Sequence, residues 1–376
     1  MSTGEATLIA VGDVAPDRVE PSECFVRTRA ILSGADFAFC QLETSLARQG
    51  VRLPQARHAV LTVPAVAPAM QQAGFSVVSF AGNHCLDWGN EAFFETIANL
   101  RNQGMGVVGV GANILEARQP VIQEANGVRI AFLAYSTILP QAYWAEANRP
   151  GCAPMRAHTI YEAIEHDQPG TPPRIHTYPH RDDLAAMCKD IATAKREADV
   201  VAVSHHWGIH FVPYSLADYQ PDVARAAIDA GADLVLGHHA HILKGVEVYK
   251  GKPIFYSLCN FATDLRMDEA HASSKGFREI QKLAPRWEPD FDSLYNFPED
   301  ARMSIMVKAK LSRSGVQQVA IIPLWIDRDA VPTPLAASDP RFAQVIAYLT
   351  ECCRQTGRDT NFRIEGDEVV IAGVGG

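Results

Sequence analysis

Asp233-Leu234-Val235-Leu236-Gly237-His238-His239-Ala240-His241 is an apolar run that stops abruptly at three histidines within four residues. Residues 234–236 have the composition of a short buried strand, and the polar island follows directly at its C-terminal end. Buried imidazoles need hydrogen-bond partners, so such a cluster makes poor core packing and points to metal ligation instead. In an extended segment His239 and His241 project to the same side, where each could face one of two neighbouring ions.

Four other polar islands close apolar runs in the same way. Gly12-Asp13 follows residues 7–11, Leu42-Glu43-Thr44 ends residues 37–42, Gly82-Asn83-His84 follows 76–81, and His205-His206-Trp207-Gly208 follows 200–204. Further strand-like runs occupy 107–110 and 129–135, and helical patterns fill 23–32, 66–73, 91–101, 182–198 and 222–230. The alternation predicts an α/β fold, and the C-terminal ends of its strands are where open α/β sheets place ligands. Residues 244–258 read as two strands around Lys250-Gly251, and 303–311 with 316–326 as a hairpin across Ser314-Gly315, which suggests a second, antiparallel sheet packed on the first. Insertions at about 138–180 and 262–300 lack a clean period and have the length of lids or binding loops. The expected organisation is one domain over 1–330 and a C-terminal extension over 331–376, with a helix at 342–354 and a strand at 368–372.

Composition excludes several classes of function. Apolar residues make up 47% and charged residues 20%, as in an ordinary globular protein, and the net charge of -9 with no basic stripe argues against a nucleic-acid partner. The first residues carry no basic segment followed by an apolar one, and no run approaches the length of a membrane span. The eight cysteines are scattered without a CxxC pair, as reduced thiols would be. These features predict a cytoplasmic protein without a membrane partner, acting on a small-molecule or peptide-like substrate.

The inventory of the islands is two carboxylates, Asp13 and Glu43, an amide oxygen from Asn83, and imidazoles at 84, 205, 206, 238, 239 and 241. Mixed N/O donors of this kind suit a divalent cation such as Mn, Fe, Zn or Co. Asp87, three residues after His84, could orient that ring and fix the tautomer of a proton donor.

The order Gly-Asp, Leu-Glu-Thr, Asn-His-x-x-Asp, His-Trp-Gly, Gly-His-His-x-His and Tyr256-Ser257-Leu258-Cys259-Asn260-Phe261 resembles the CapA/PgsA family, named for poly-γ-glutamate capsule biosynthesis, within the metallophosphatase-like superfamily. The resemblance covers roughly residues 6–261 and continues more weakly to about 326. It implies a four-layer α/β/β/α metallophosphatase-like sandwich with insertions. It also implies that Asp13 and His241 hold one ion, that Asn83, His206 and His239 hold a second, and that Glu43 bridges them. His84 takes the place of the proton-donating histidine, with Asp87 as its orienter, while His205 and His238 stand behind the ligands.

Three positions depart from the pattern. Ala15 stands where superfamily members carry a histidine, His210 replaces the usual Glu after His-Trp-Gly, and Cys259 replaces a Gly. The lost imidazole leaves one or two ions open, and the lack of an exporting segment makes a capsule role unexpected. The resemblance implies a metal-dependent hydrolase that uses a metal-bound hydroxide on a phosphoester or amide. The alternative is metal-assisted proton transfer on an organic substrate, as in an epimerase or a carbon-carbon lyase releasing formaldehyde by a retro-aldol step. That alternative is motivated by Ala15, by the extra histidines His205, His210 and His238, and by the aromatic residues Tyr143, Trp144, Tyr161, Tyr178, Trp287 and Tyr295.

Overall fold

Strand Glu5–Ala15 is apolar on both faces, which requires cover on both, and it forms the centre of a ten-stranded sheet. The computed structural model describes residues 4–375. On one side of the central strand lie Phe37–Leu42, Val77–Ser79 and Gly106–Val108, all parallel. On the other side lie Met303–Ser312, Gly315–Ile326, Glu368–Ile371 and Phe362–Glu365, each antiparallel to its neighbour. The last two strands, from the C-terminal 331–376 segment, thus continue this sheet. The helix Pro340–Gln355 packs against both Gly315–Ile326 and the edge strand Val246–Tyr249 of the second sheet.

The second sheet has six strands in the order Val246–Tyr249, Lys252–Phe255, Leu234–His238, Val200–His206, Val128–Ser136 and Val121–Ala125. Its four middle strands are parallel and its two edges antiparallel. Alternate residues divide its two faces, as the pleat dictates. Phe132, Ala202 and Leu236 join the core that holds Leu8, Ala10 and Phe39 of the first sheet. Leu133, Val203 and Val235 turn the other way, onto Met187 and Ile191 of helix Arg181–Glu197 and onto Val223 and Ala227 of helix Tyr219–Asp229. With Val66–Ala73 and Gly89–Asn102 adding Met70, Phe93 and Leu100 to the core of the first sheet, the architecture is the four-layer α/β/β/α sandwich.

Local pattern located most elements but not their partners. The parallel strands are divided between two sheets, and each sheet also carries an antiparallel hairpin, because a buried strand's composition does not say which neighbour it pairs with. The span 23–32 breaks into a 3-10 turn, Pro21–Phe25, and a short helix, Arg29–Ser33. The insertion at 138–180 contains a separate two-stranded hairpin, Ala157–Glu162 with Arg174–Pro179. The insertion at 262–300 contains two short helices, Glu269–Ser273 and Lys275–Gln281. No helix among the described residues is long and apolar enough to cross a membrane.

The two sheets meet tightly. The rings of Phe39 and Phe132, one from each sheet, stack 5.5 Å apart and nearly parallel. Removing the Phe39 ring leaves a hole that rigid strands cannot close, so Phe39→Ala is expected to lower stability by about 3–5 kcal/mol, read as a shifted urea midpoint at unchanged slope.

Candidate metal centre

All five polar islands come together at the C-terminal ends of strands from both sheets. Asp13 is fully buried, and its backbone N–H donates to the Cys259 carbonyl at 3.1 Å. That approach requires Gly12: a Cβ there would stand 2.0 Å from the same carbonyl oxygen. Asp13 Oδ1 accepts from His238 Nδ1 at 3.1 Å, and Oδ2 accepts the backbone N–H of His239 at 3.1 Å. Its carboxylate is therefore held from behind by the strand end that also carries His239 and leads to His241.

Strand Leu234–His238 stops at His238, and His239 and His241 both take left-handed backbone conformations, with φ of +87° and +55°. The sequence argument that they alternate along an extended segment is corrected here. They reach the same site because the chain turns sharply, a conformation that costs a non-glycine residue about 1–3 kcal/mol and recurs at functional sites.

Two groups of side chains place one donor atom each within 4.8 Å of one another: Glu43, His206 and His239 form one, and Asp13, Glu43 and His241 form the other. Glu43 belongs to both. Its Oε1 lies 3.1 Å from His206 Nε2 and its Oε2 lies 3.7 Å from His241 Nε2. Asn83 Oδ1 is 2.6 Å from His206 Nε2, and His239 Nδ1 is 3.2 Å from it. Two oxygens, and a ring nitrogen whose role depends on its tautomer, thus surround a nitrogen that can carry at most one proton, and Glu43 Oε1 makes no hydrogen bond at all. Buried lone pairs that converge without donors are what a divalent cation satisfies, so this donor set fits one.

The electrostatics agree. Burial, and then neighbouring imidazoles, hold His206 and His239 well below the ordinary histidine value of 6.5, so both are neutral and their lone pairs are free. His241 is also lowered, chiefly by burial. Burial, together with the carboxylates of Asp13 and Asp87, pushes Glu43 well above its ordinary range. A carboxylate so placed is costly to ionise without a compensating positive charge.

At the rim His84 is partly exposed, and its Nδ1 meets Asp87 Oδ2 at 2.7 Å, the pairing expected from their spacing. Asp87 in turn accepts from the Tyr143 hydroxyl at 2.8 Å. His210 stacks 3.8 Å from the His239 ring and 5.2 Å from that of His241, and its Nε2 is buried without a partner. His238 sits behind Asp13. His205 points away from the cluster into the apolar layer between sheet and helices, stacked 4.4 Å from Trp207, and burial lowers it to about 3.

The six aromatic residues that motivated a lyase or epimerase do not line the cluster together. Tyr161 and Tyr178 are exposed on the separate hairpin, Trp144 lies beneath Arg156, and Trp287 and Tyr295 are buried. The rings that flank His241 are Phe211 and Phe297, at 5.7 and 5.1 Å. Sequence reasoning missed these two, and also Tyr143 and Asn260 as partners of site residues. Asn260 was legible as part of a strand-end motif, but the others lie in aperiodic segments.

Fold and site together define a four-layer α/β/β/α sandwich with a candidate metal-binding cluster at its strand ends. A family model described as bacterial capsule synthesis protein PGA_cap matches residues 7–265, and the chain belongs to that family. The PGA biosynthesis protein CapA of Bacillus subtilis (strain 168) is 27% identical over 294 residues, 78% of this chain and 60% of that protein. The capsule biosynthesis protein CapA of Bacillus anthracis is 32% identical over 196 residues, 52% of this chain and 42% of that protein. The chain therefore matches less than two thirds of the length of either relative. Among solved structures, the calcineurin-like phosphoesterase YfkN from Bacillus subtilis superposes with a TM-score of 0.42 at 12% identity, over 94% of this chain and 96% of that one.

The buried imidazoles have a consequence for the chelator-treated protein. His205, His206, His210 and His239 are all depressed in the folded state, so below pH 6.5 the unfolded chain binds protons that the folded chain excludes. Each such group removes about 1.4 kcal/mol of stability per pH unit once the pH is well below 6.5. Glu43, raised in the folded state, acts in the opposite sense but is one proton against five, since His241 is depressed as well. The melting temperature of the chelated protein should fall steadily from pH 6.5 to 5, and added divalent cation should raise it; a flat profile would contradict the burial of these rings in neutral form.

Proposed function

We propose that this chain is a metal-dependent hydrolase acting on a phosphoester or amide bond of a small-molecule or peptide-like substrate. The observation that carries the reading is the sharing of buried Glu43 between two groups of candidate ligands, which would let this one carboxylate serve both sites. Asp13 and His241 would hold one cation, Asn83, His206 and His239 the other, with Glu43 common to both. A bound Mn, Fe, Zn or Co ion supplies Lewis-acid polarisation of the substrate oxygen and lowers the pKa of water.

The chain's own residues do the rest. Asp87 can only accept when ionised, so it holds a proton on His84 Nδ1, and when the ring also carries a proton on Nε2 that second proton is the one it would deliver to the leaving group. The Tyr143 hydroxyl fixes the other oxygen of Asp87, so the pair cannot rotate away. His210, partly exposed beside His239, adds an imidazole that can contact the substrate. Relatives named for capsule or PGA biosynthesis motivate amide substrates alongside phosphoesters.

Elemental analysis of protein purified without chelator should find close to two divalent ions per chain, falling to about one in His239→Ala. His84→Gln should keep the full metal content while turnover on the responding phosphoester or amide falls by about 10²–10⁴-fold. Full metal content with no hydrolysis of either substrate class would overturn the proposal, and loss of metal in His84→Gln would make His84 a ligand instead.

A further inference from the structure

We infer that Asn260 and Tyr295 are positioning residues that fix which ring nitrogen of His241 carries the proton, leaving Nε2 as the donor atom toward the cation. The inference rests on the reading of His241 as a ligand. It follows from a chain of hydrogen bonds whose direction is set at its far end. The backbone carbonyl of Ala301 can only accept, so the Tyr295 hydroxyl, 2.6 Å away, donates to it. With its one proton committed, the Tyr295 oxygen can only accept from Asn260 Nδ2, at 2.8 Å. That contact fixes the orientation of the amide, which is otherwise free to be read either way round. Asn260 Oδ1 then faces His241 Nδ1 at 2.7 Å, and an amide oxygen can only accept. His241 must therefore be protonated at Nδ1 and carry its lone pair on Nε2, the nitrogen 3.7 Å from Glu43 Oε2.

Burial makes this relay decisive. Asn260 and Tyr295 are almost fully shielded from water, so no solvent molecule competes for the links. Asn260 is also pinned along the backbone, paired in parallel register with Asp13 and bonded through its carbonyl to the Ser304 hydroxyl. The other two members come from the segment after the last ligand: Tyr295 from the 262–300 insertion, and Ala301 from the 3-10 turn Glu299–Arg302. The first insertion does the corresponding work at the rim, where the Tyr143 hydroxyl fixes Asp87 and Asp87 fixes His84. Each insertion thus sends one tyrosine hydroxyl behind an imidazole of the site.

The test uses chelator-treated, 15N-histidine-labelled protein above pH 7, with the His241 ring signals assigned by their loss in His241→Ala. The expected spectrum has a protonated Nδ1 and an unprotonated Nε2. In Tyr295→Phe, which keeps the ring but frees the amide to rotate, the signal should shift toward a mixture of tautomers. Mn²⁺ or Zn²⁺ affinity, measured by competition with a chelating dye, should then fall about 10- to 100-fold, with the melting temperature used to confirm folding. Asn260→Leu should have the same two effects. A wild-type His241 protonated at Nε2, or a Tyr295→Phe protein with unchanged tautomer and affinity, would overturn the inference. Because the tautomer is read without cation or substrate, an absence of hydrolytic activity would count against the proposed function and leave this result standing.

Discussion

The structure depends on one costly placement: two carboxylates and three imidazoles, all buried, whose donor atoms gather in two groups within 4.8 Å where two sheets meet. Asp13 and Glu43 are both buried, and burial together with the neighbouring carboxylates pushes Glu43 well above its ordinary range. His206, His239 and His241 are driven neutral by the same burial. Such a cluster is a liability for the apo fold and an asset for a cation, since desolvation has already been met in building the chain. Everything around it serves to hold the groups in place against mutual repulsion and unsatisfied lone pairs.

Holding them is mostly the work of the backbone. Glycines at 12 and 237 let strand ends approach carbonyls at distances that a Cβ would forbid, 2.0 Å from Cys259 O and 2.2 Å from Tyr256 O. His239, His241 and Cys259 all adopt left-handed conformations next to the site. Cys259 holds a left-handed φ of +65° that glycine would adopt freely, and its Sγ lies 3.2 Å from the His241 carbonyl. Its side chain packs into the wall behind this turn, against the His241 and Ala301 carbonyls.

Side chains complete the restraint from a second direction. His238 meets Asp13 from the same strand end that supplies His239, which couples the position of the carboxylate to that of the ligand loop. Tyr143 and Tyr295 arrive from the two irregular insertions and terminate hydrogen bonds that would otherwise end in buried, unsatisfied atoms. These insertions are more than lids over a finished site, because part of each is built into its back wall. Membership in the PGA_cap family accounts for the strand-end motifs within residues 7–265, whereas Tyr295 and Ala301 lie beyond that match.

The sequence by itself determined the α/β class, the strand ends that bear the polar islands, and the pairing of His84 with Asp87, because each is written in short-range pattern: apolar runs, abrupt polar islands and an i, i+3 spacing. It also marked Asp13, Glu43, Asn83, His206, His239 and His241 as a ligand inventory, since buried donors of that kind have few other uses. Only the tertiary structure decided how the parallel strands divide between two sheets, since pairing partners lie far apart in sequence and leave no local period. Only there does His205 turn away from the site and a left-handed turn replace the extended His239-Ala240-His241 segment. The relay from Ala301 to His241 was invisible for the same reason. It joins residues from three separate segments, and hydrogen-bond direction is a property of contacts in space, not of spacing along a chain.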